Sequence, residues 1–267
     1  MSWALATLFL FAQDRPRTPE DPGLLGWGVY ARVEAWYPRI EGDVSVDDRD
    51  STLTLDGDLD IESPGWTGVF EVGILRRSRG SREATGLAFS GMSFSSSGRE
   101  TLSSNETFAK HLFPAGTEVR SRFRFTEVGL DGILAGVDHP EAEEIWRCSL
   151  GLHYIEAEIE MDSPAGSESE DYVDINLRLA LGGEWRPISW AFVGAGVALY
   201  TDFFTLFGGG DPGHAAGEFE AYGGFQWGPV RVEGGYRLFG WSLDMIHEEE
   251  EIDLFLHGPW LAATLRF

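Results

Sequence analysis

The chain is poor in cysteine, in cations and in long greasy runs, and each shortage excludes something. One cysteine, Cys148, stands in 267 residues, so no disulfide can form within the chain, and a lone thiol reads as a small apolar side chain. Lys and Arg number 20 against 44 Asp and Glu, a formal net charge of −24. That balance argues against nucleic acid, whose binding needs cations laid against phosphates. No stretch reaches the roughly 18 continuous apolar residues of a spanning helix. No segment carries a sustained 3.6-residue period with caps, so helices are not expected. GxSxG, P-loop and dinucleotide fingerprints are absent. The six histidines are scattered, without metal-ligand spacing on one element, so neither a metal nor a cofactor is assigned, and no catalytic residue is either.

What is present is apolar in amount and alternating in pattern. Hydrophobic residues make up 43 % and aromatics 13 %, with 34 glycines, too much for a disordered acidic chain. In DYVDINLRLALGGEW, Val173, Ile175, Leu177, Leu179 and Leu181 fall on one face and Asp174, Asn176, Arg178 and Glu184 on the other. PVRVEGGYRLFGW opposes Val230, Val232, Tyr236 and Leu238 to Arg231, Glu233 and Arg237. GEFEAYGGFQW, WGVYARVEAWY and EVRSRFRF behave the same way. A period of two means strands, and the chain reads as all-β.

A soluble sandwich or lipocalin hides its apolar face; a membrane barrel turns it outward to lipid. Connection lengths separate the two. Strands are expected near 27–38, 65–77, 82–96, 117–135, 143–160, 171–185, 188–202, 215–227, 229–241 and 251–267, about ten in all, with 8 or 12 as alternatives. Long connections at 39–64, 97–116, 161–170, 203–214 and 242–250 alternate with tight ones such as Gly228-Pro229. Long loops at one end and short turns at the other suit a closed antiparallel up-and-down transmembrane barrel. Trp and Tyr near the strand ends suit a membrane interface.

Ahead of the barrel, Trp3 to Phe11 forms an apolar run of signal-peptide length. Residues 1–12 are therefore expected to be an export signal, although no Lys or Arg precedes the run and Leu10 is large for its position. Residues 13–26 read as a linker and 27–267 as the barrel domain.

The last strand, GPWLAATLRF, ends on Phe267 and resembles the C-terminal strand of bacterial outer-membrane β-barrel proteins. LTLDGDLDI and FPAGTEVRSRFRF are similar to segments of small, mostly uncharacterised barrels of that kind. The resemblance implies a Gram-negative outer-membrane location, contact with outer-membrane lipid, and Phe267 as part of the signal read by the barrel-assembly machinery. Pro259 departs from a clean strand, and a bulge or break of phase is expected there.

If the apolar faces meet lipid, Arg32, Glu34, Glu71, Arg120, Arg122, Arg124, Arg147, His153, Asp174, Arg178, Glu184, Glu218, Glu220, Arg231, Glu233 and Arg237 face the lumen. In so narrow a barrel, charges of both signs are expected to pair into a plug. Asp56, Asp58, Asp60 and Glu62 alternate in DGDLDIE, but Ile61 stands where an EF-hand needs Gly and Thr67 where it needs Glu. The segment reads as a solvated acidic loop, and divalent cations shared at such loops are the alternative partner. The function expected is a non-catalytic barrel with a structural or surface-interaction role. The alternatives are a lipid A-modifying or proteolytic barrel enzyme using His214 or His247 at the outer rim, a narrow porin-like pore, and a secreted soluble β-protein.

Overall fold

The structure is a computed structural model; it describes residues 26–45, 52–77, 83–109, 111–137, 144–164, 166–188, 190–203, 214–245 and 250–267. The expected export signal (1–12), nearly all of the linker (13–26) and His247 lie outside the described residues.

Every wall element is a strand. Ten of them close a ring: β1 (Gly26–Trp36), β4 (Thr67–Arg77), β5 (Glu83–Thr101), β8 (Glu118–Val137), β9 (Glu144–Ser163), β10 (Gly166–Ile188), β11 (Ala191–Asp202), β12 (His214–Trp227), β13 (Val230–Met245) and β14 (Glu250–Arg266). Each pairs antiparallel with its neighbour, and β1 with β14 completes the barrel. Closure leaves no edge strand in the ring of ten, the condition for placing strands in hydrocarbon. Past Pro38 the first wall strand resumes as β2 (Arg39–Ser45), which pairs with β14 and hairpins with β3 (Thr52–Thr54). β6 (Glu106–Phe108) and β7 (His111–Phe113) form a separate hairpin.

Two connections differ from expectation. The segment 161–170 is not a long loop: β9 runs on to Ser163 and β10 starts at Gly166. The first connection, 39–64, begins as wall. Pro259 keeps its phase, opposite Tyr236 on one side. On the other side the ladder breaks at Tyr37-Pro38 and resumes with Arg39 opposite His257, in the register set by Trp36 opposite Trp260. The break is interrupted pairing, not a bulge. There Tyr37 N–H donates to the Pro259 carbonyl at 2.9 Å.

The outer face carries Val33, Phe70, Val72, Leu87, Phe89, Val128, Leu130, Leu150, Leu152, Val173, Leu179, Val197, Leu199, Phe219, Val232 and Leu261, all exposed. Trp146, Trp185, Trp190, Trp227 and Phe267 lie exposed toward the end with short turns. Toward the other end, Trp66 packs edge-on to Tyr37 with ring centroids 5.6 Å apart. From Trp146 to Tyr154, β9 spans nine residues of this band, close to the roughly 9–11 that cross a bilayer.

β8, β9 and β10 are 20, 20 and 23 residues long, about twice that span. Above the band their faces exchange character. On β8 the outer face reads Val128, Leu130 and Leu134 low down, then Arg124, Arg122 and Arg120. The inner face reads Asp131 and Glu127, then Phe125, Phe123 and Val119. Arg122 and Arg124 point outward onto Glu160 and Glu158 of β9, at 2.8 and 2.6 Å; Arg120 is exposed on the same row, opposite Asp162. The expectation that these three arginines face the lumen is corrected. Outside the hydrocarbon the surroundings are water, so the charged side turns out and the apolar side turns in.

Glycines make room for large inner side chains. A Cβ on Gly129 would sit 2.2 Å from the His153 ring, and one on Gly73 would sit 2.3 Å from the Tyr30 ring. Depth along the wall gives a test. Leu152→Arg in the apolar band should destabilise the barrel in vesicles by about 2–4 kcal/mol, whereas Arg122→Ala on the upper wall should cost under about 1 kcal/mol. Urea unfolding followed by tryptophan fluorescence measures both.

Candidate functional site

The interior has two storeys. The lower one, level with the apolar band, is polar. Tyr30, Arg32 and Glu34 come from β1, Glu71 from β4, Glu127 and Asp131 from β8, and Arg147 and His153 from β9. Arg178 and Glu184 come from β10, Tyr200 from β11, Glu218 and Glu220 from β12, and Arg231, Glu233 and Arg237 from β13. Strict alternation on these eight strands puts them in one lumen, and each of these residues lines a cavity of about 280 Å³, Glu34 excepted.

Arg237 is the hub. Its guanidinium reaches Glu34 at 2.7 Å, Glu218 at 3.0 Å and Glu220 at 3.4 Å, thus joining β1, β12 and β13. It lies 5.4 Å from the Trp36 ring and 5.9 Å from that of Trp260, a contact that favours a cation. Arg32 bridges Glu34 at 2.7 Å and Glu233 at 3.0 Å. Arg231 takes Glu233 and, at 2.5 Å, Glu184, stacked 3.8 Å over Phe192. Arg178 donates to Tyr200 Oη at 3.0 Å and to Glu218 at 3.1 Å. Arg147 and the Tyr30 hydroxyl both donate to Glu71 Oε1, at 3.2 and 2.5 Å.

His153 is held between two carboxylates, Nδ1 2.8 Å from Glu127 and Nε2 3.2 Å from Asp131. Both nitrogens donate together only in the imidazolium, so His153 serves this network as a cation. Asp174 is buried higher up, accepting from Asn176 Nδ2 at 2.8 Å. The structure thus places Arg32, Glu34, Glu71, Asp174, Arg178, Glu218, Glu220, Arg231, Glu233 and Arg237 inside, and Arg120, Arg122 and Arg124 outside.

Sequence reading missed Glu127 and Asp131, and with them the partners of His153. Their signal was present in RFRFTEVGLDGIL, where the apolar residues change parity between Phe125 and Val128. Tyr30 and Tyr200 were missed for another reason: a phenol reads equally well as membrane-interface aromatic or as donor.

The upper storey is apolar. Leu53, Leu55, Leu59 and Ile61, from the first connection, are buried with Phe108 and Phe113 of the β6–β7 hairpin. They pack against Trp36, Phe123, Phe125, Ile155, Ile159, Phe239, Trp241 and Leu254 from the wall. Phe94 stacks on Phe125 with centroids 5.5 Å apart. Ser121 Oγ donates to the Leu59 carbonyl at 2.9 Å, and Ser96 Oγ to that of Glu62, tying the connection to the wall. In the DGDLDIE loop, Asp58 accepts from Thr54 N–H at 2.9 Å and Oγ1 at 2.8 Å, which commits that carboxylate to the turn. Among the described residues no group of three or more His, Cys, Asp or Glu could hold a metal.

With this geometry the chain has the fold of the bacterial outer-membrane β-barrels. Its backbone is similar to the outer-membrane protease OmpT of Escherichia coli, with a TM-score of 0.54 at 11 % identity over 91 % of this chain and 99 % of that one. Two lesser likenesses are the translocator domain of the autotransporter NalP of Neisseria meningitidis (TM-score 0.40, 12 % identity, 91 % and 90 % covered) and Ail of Yersinia pestis (0.37, 12 %, 90 % and 99 %). The shared fold is that of the first. No protein-family model matches the chain, and no curated protein matches it in sequence.

Arg237→Met removes the ion-pair partner of Glu220 and leaves Glu34 and Glu218 with Arg32 and Arg178 alone, and should destabilise the barrel by about 3–5 kcal/mol. Arg124→Ala, removing one exposed pair, should cost under about 1 kcal/mol. Equal losses in vesicle unfolding would contradict the division into lumen and outer wall.

Proposed function

We propose that the protein is an integral outer-membrane β-barrel that closes its own lumen and serves a structural or surface-interaction role without catalysis. The observation that carries this reading is the two-storey interior. A charged network whose members bind one another lines the cavity at the membrane level, and an apolar plug covers it at the end with the long connections. An ion entering from outside would have to cross Leu55, Leu59, Phe123 and Phe125 without hydration, at a cost of several kcal/mol. Below, it would have to displace paired side chains. The outward apolar band and its aromatic rims support residence in a bilayer. Export and delivery by the barrel-assembly machinery, with Phe267 as part of the recognised strand, belong to the same reading.

A second reading is favoured by one observation, the fold shared with a protease. An enzyme here would have to work at the outer rim. His214 begins β12 there, whereas His153 is already committed to two carboxylates. Peptide or lipid A turnover that is lost in His214→Ala or His247→Ala would establish that reading.

The tests are direct. The purified protein should enter the detergent phase, migrate differently on gels before and after boiling, and give no steady conductance in planar bilayers. Replacing Leu55, Leu59 and Ile61 together by Ser should loosen the plug and raise conductance above that baseline. Steady channels from the unaltered protein would refute a closed lumen, and recovery in the aqueous phase would refute the membrane location.

A further inference from the structure

Where β2 leaves the apolar band, its outward side chains and those of β13 and β14 form a polar strip that no lumen or plug interaction uses. Arg39 stands opposite His257, and Asp43 opposite Asp253. Tyr236 Oη lies 2.6 Å from His257 Nδ1, and His257 Nε2 lies 3.0 Å from Glu41 Oε1. The Phe255 ring packs on the imidazole with centroids 5.2 Å apart. The Glu41 carboxylate fixes an Nε2–H tautomer, which leaves Nδ1 to accept the phenol's proton. Tyr236, His257 and Glu41 are thereby held in place at the rim of the band.

Around this fixed core the charges are ordered and incomplete. Arg39 is exposed, and among the described residues it has no ion pair. Asp43 and Asp253, both exposed, face each other directly across the β2–β14 ladder with no cation between them among the described residues. Like charges so placed repel. Because β2 continues the rising course of β1, Arg39 is nearest the apolar band, Glu41 is next, and the aspartate pair is furthest out. Positive charge at the lipid boundary and negative charge beyond it is the reverse of what a polyanionic surface would match. It complements a headgroup whose phosphate sits at the boundary and whose ammonium reaches into water. Arg39 and Glu41 are about 7 Å apart along the strand, on the scale of a headgroup whose phosphate and ammonium are two carbons apart.

We propose that Arg39, Glu41, Asp43, Tyr236, Asp253 and His257 form an outer-wall binding site for the phosphoethanolamine headgroup of a zwitterionic lipid. Arg39 takes the phosphate, and Glu41 with the aspartate pair takes the ammonium. The proposal rests on the membrane reading above, since the site needs lipid beside the wall. The headgroup could belong to a glycerophospholipid or to a phosphoethanolamine-bearing glycolipid.

Native mass spectrometry of protein extracted from vesicles of equimolar phosphatidylethanolamine and phosphatidylglycerol, matched in acyl chains, tests it. Retention of the ethanolamine lipid should exceed that of the glycerol lipid several-fold. Arg39→Gln should lower retention of both. Asp43→Asn with Asp253→Asn should bring the two to parity or favour the glycerol lipid. A parallel pair, lipid A with and without phosphoethanolamine, identifies the source; selectivity in either pair supports the site, and the pair showing it names the natural class. Parity in both pairs, or a preference unchanged in both variants, overturns it. Shifted gel mobility on boiling, recorded for each variant, separates failure of the site from failure of the membrane reading.

Discussion

A bilayer supplies hydrocarbon over only about 25–30 Å, and every side-chain arrangement in this barrel follows from that limit. Within the band a strand must offer apolar side chains outward, so its polar ones meet at the axis. Above the band water lies outside, and the same rule of burial turns the strand's logic around. β8 shows both regimes on one unbroken alternation: Leu130 out with Asp131 in, then Arg124 out with Phe125 in. No bulge or register shift is needed in β8. The backbone continues and only the identity of each face changes.

The two storeys then stabilise different things. The polar one cannot use the hydrophobic effect at its centre, so it relies on geometry. Arg237 ties β13 to both β1 and β12, and Arg32 ties β1 to β13 across β14. These links brace the point where first and last strands meet. The apolar storey is built as a soluble core is built, from Phe, Trp, Leu and Ile pressed together, each worth about 1.5–3 kcal/mol when fully buried. It can use segments distant in sequence, such as Leu53–Ile61 and the β6–β7 hairpin, because packing needs no fixed partner.

This division explains what could be read from the chain. Most of the alternation in DYVDINLRLALGGEW and PVRVEGGYRLFGW, from Ile175 to Trp185 and from Val230 to Tyr236, lies within the band, so inside and outside followed from polarity alone. Strand number and closure followed from the spacing of turns. EVRSRFRF alternates just as cleanly and misled, because its phase relative to Asp131 matters and a short window does not contain it. A strand twice the length a bilayer needs was the missing fact. SPAGSESE resembles a loop in composition, yet β9 and β10 pair almost to Pro164, since in water polar residues can line both sides of a ladder. The plug was least legible. LTLDGDLDI has a strand's alternation, and only its burial against Phe123 and Ile159 shows that its leucines serve another element's core.

The acidity of the chain is also placed by this architecture. Inside the band, Arg32, Arg147, Arg178, Arg231, Arg237 and His153 stand against Glu34, Glu71, Glu127, Asp131, Glu184, Glu218, Glu220 and Glu233, a near balance that a low-dielectric lumen enforces. The large negative excess must therefore lie where water screens it, on the upper outer wall and in the connections. There, neighbouring carboxylates such as Asp43 and Asp253 tolerate each other at modest cost because the dielectric is high. The same pair moved down the wall to the level of Val33 and Ala263, into hydrocarbon, would not survive ionised. β8, β9 and β10, whose walls rise well beyond the lipid, give part of the formal charge of −24 a place in water.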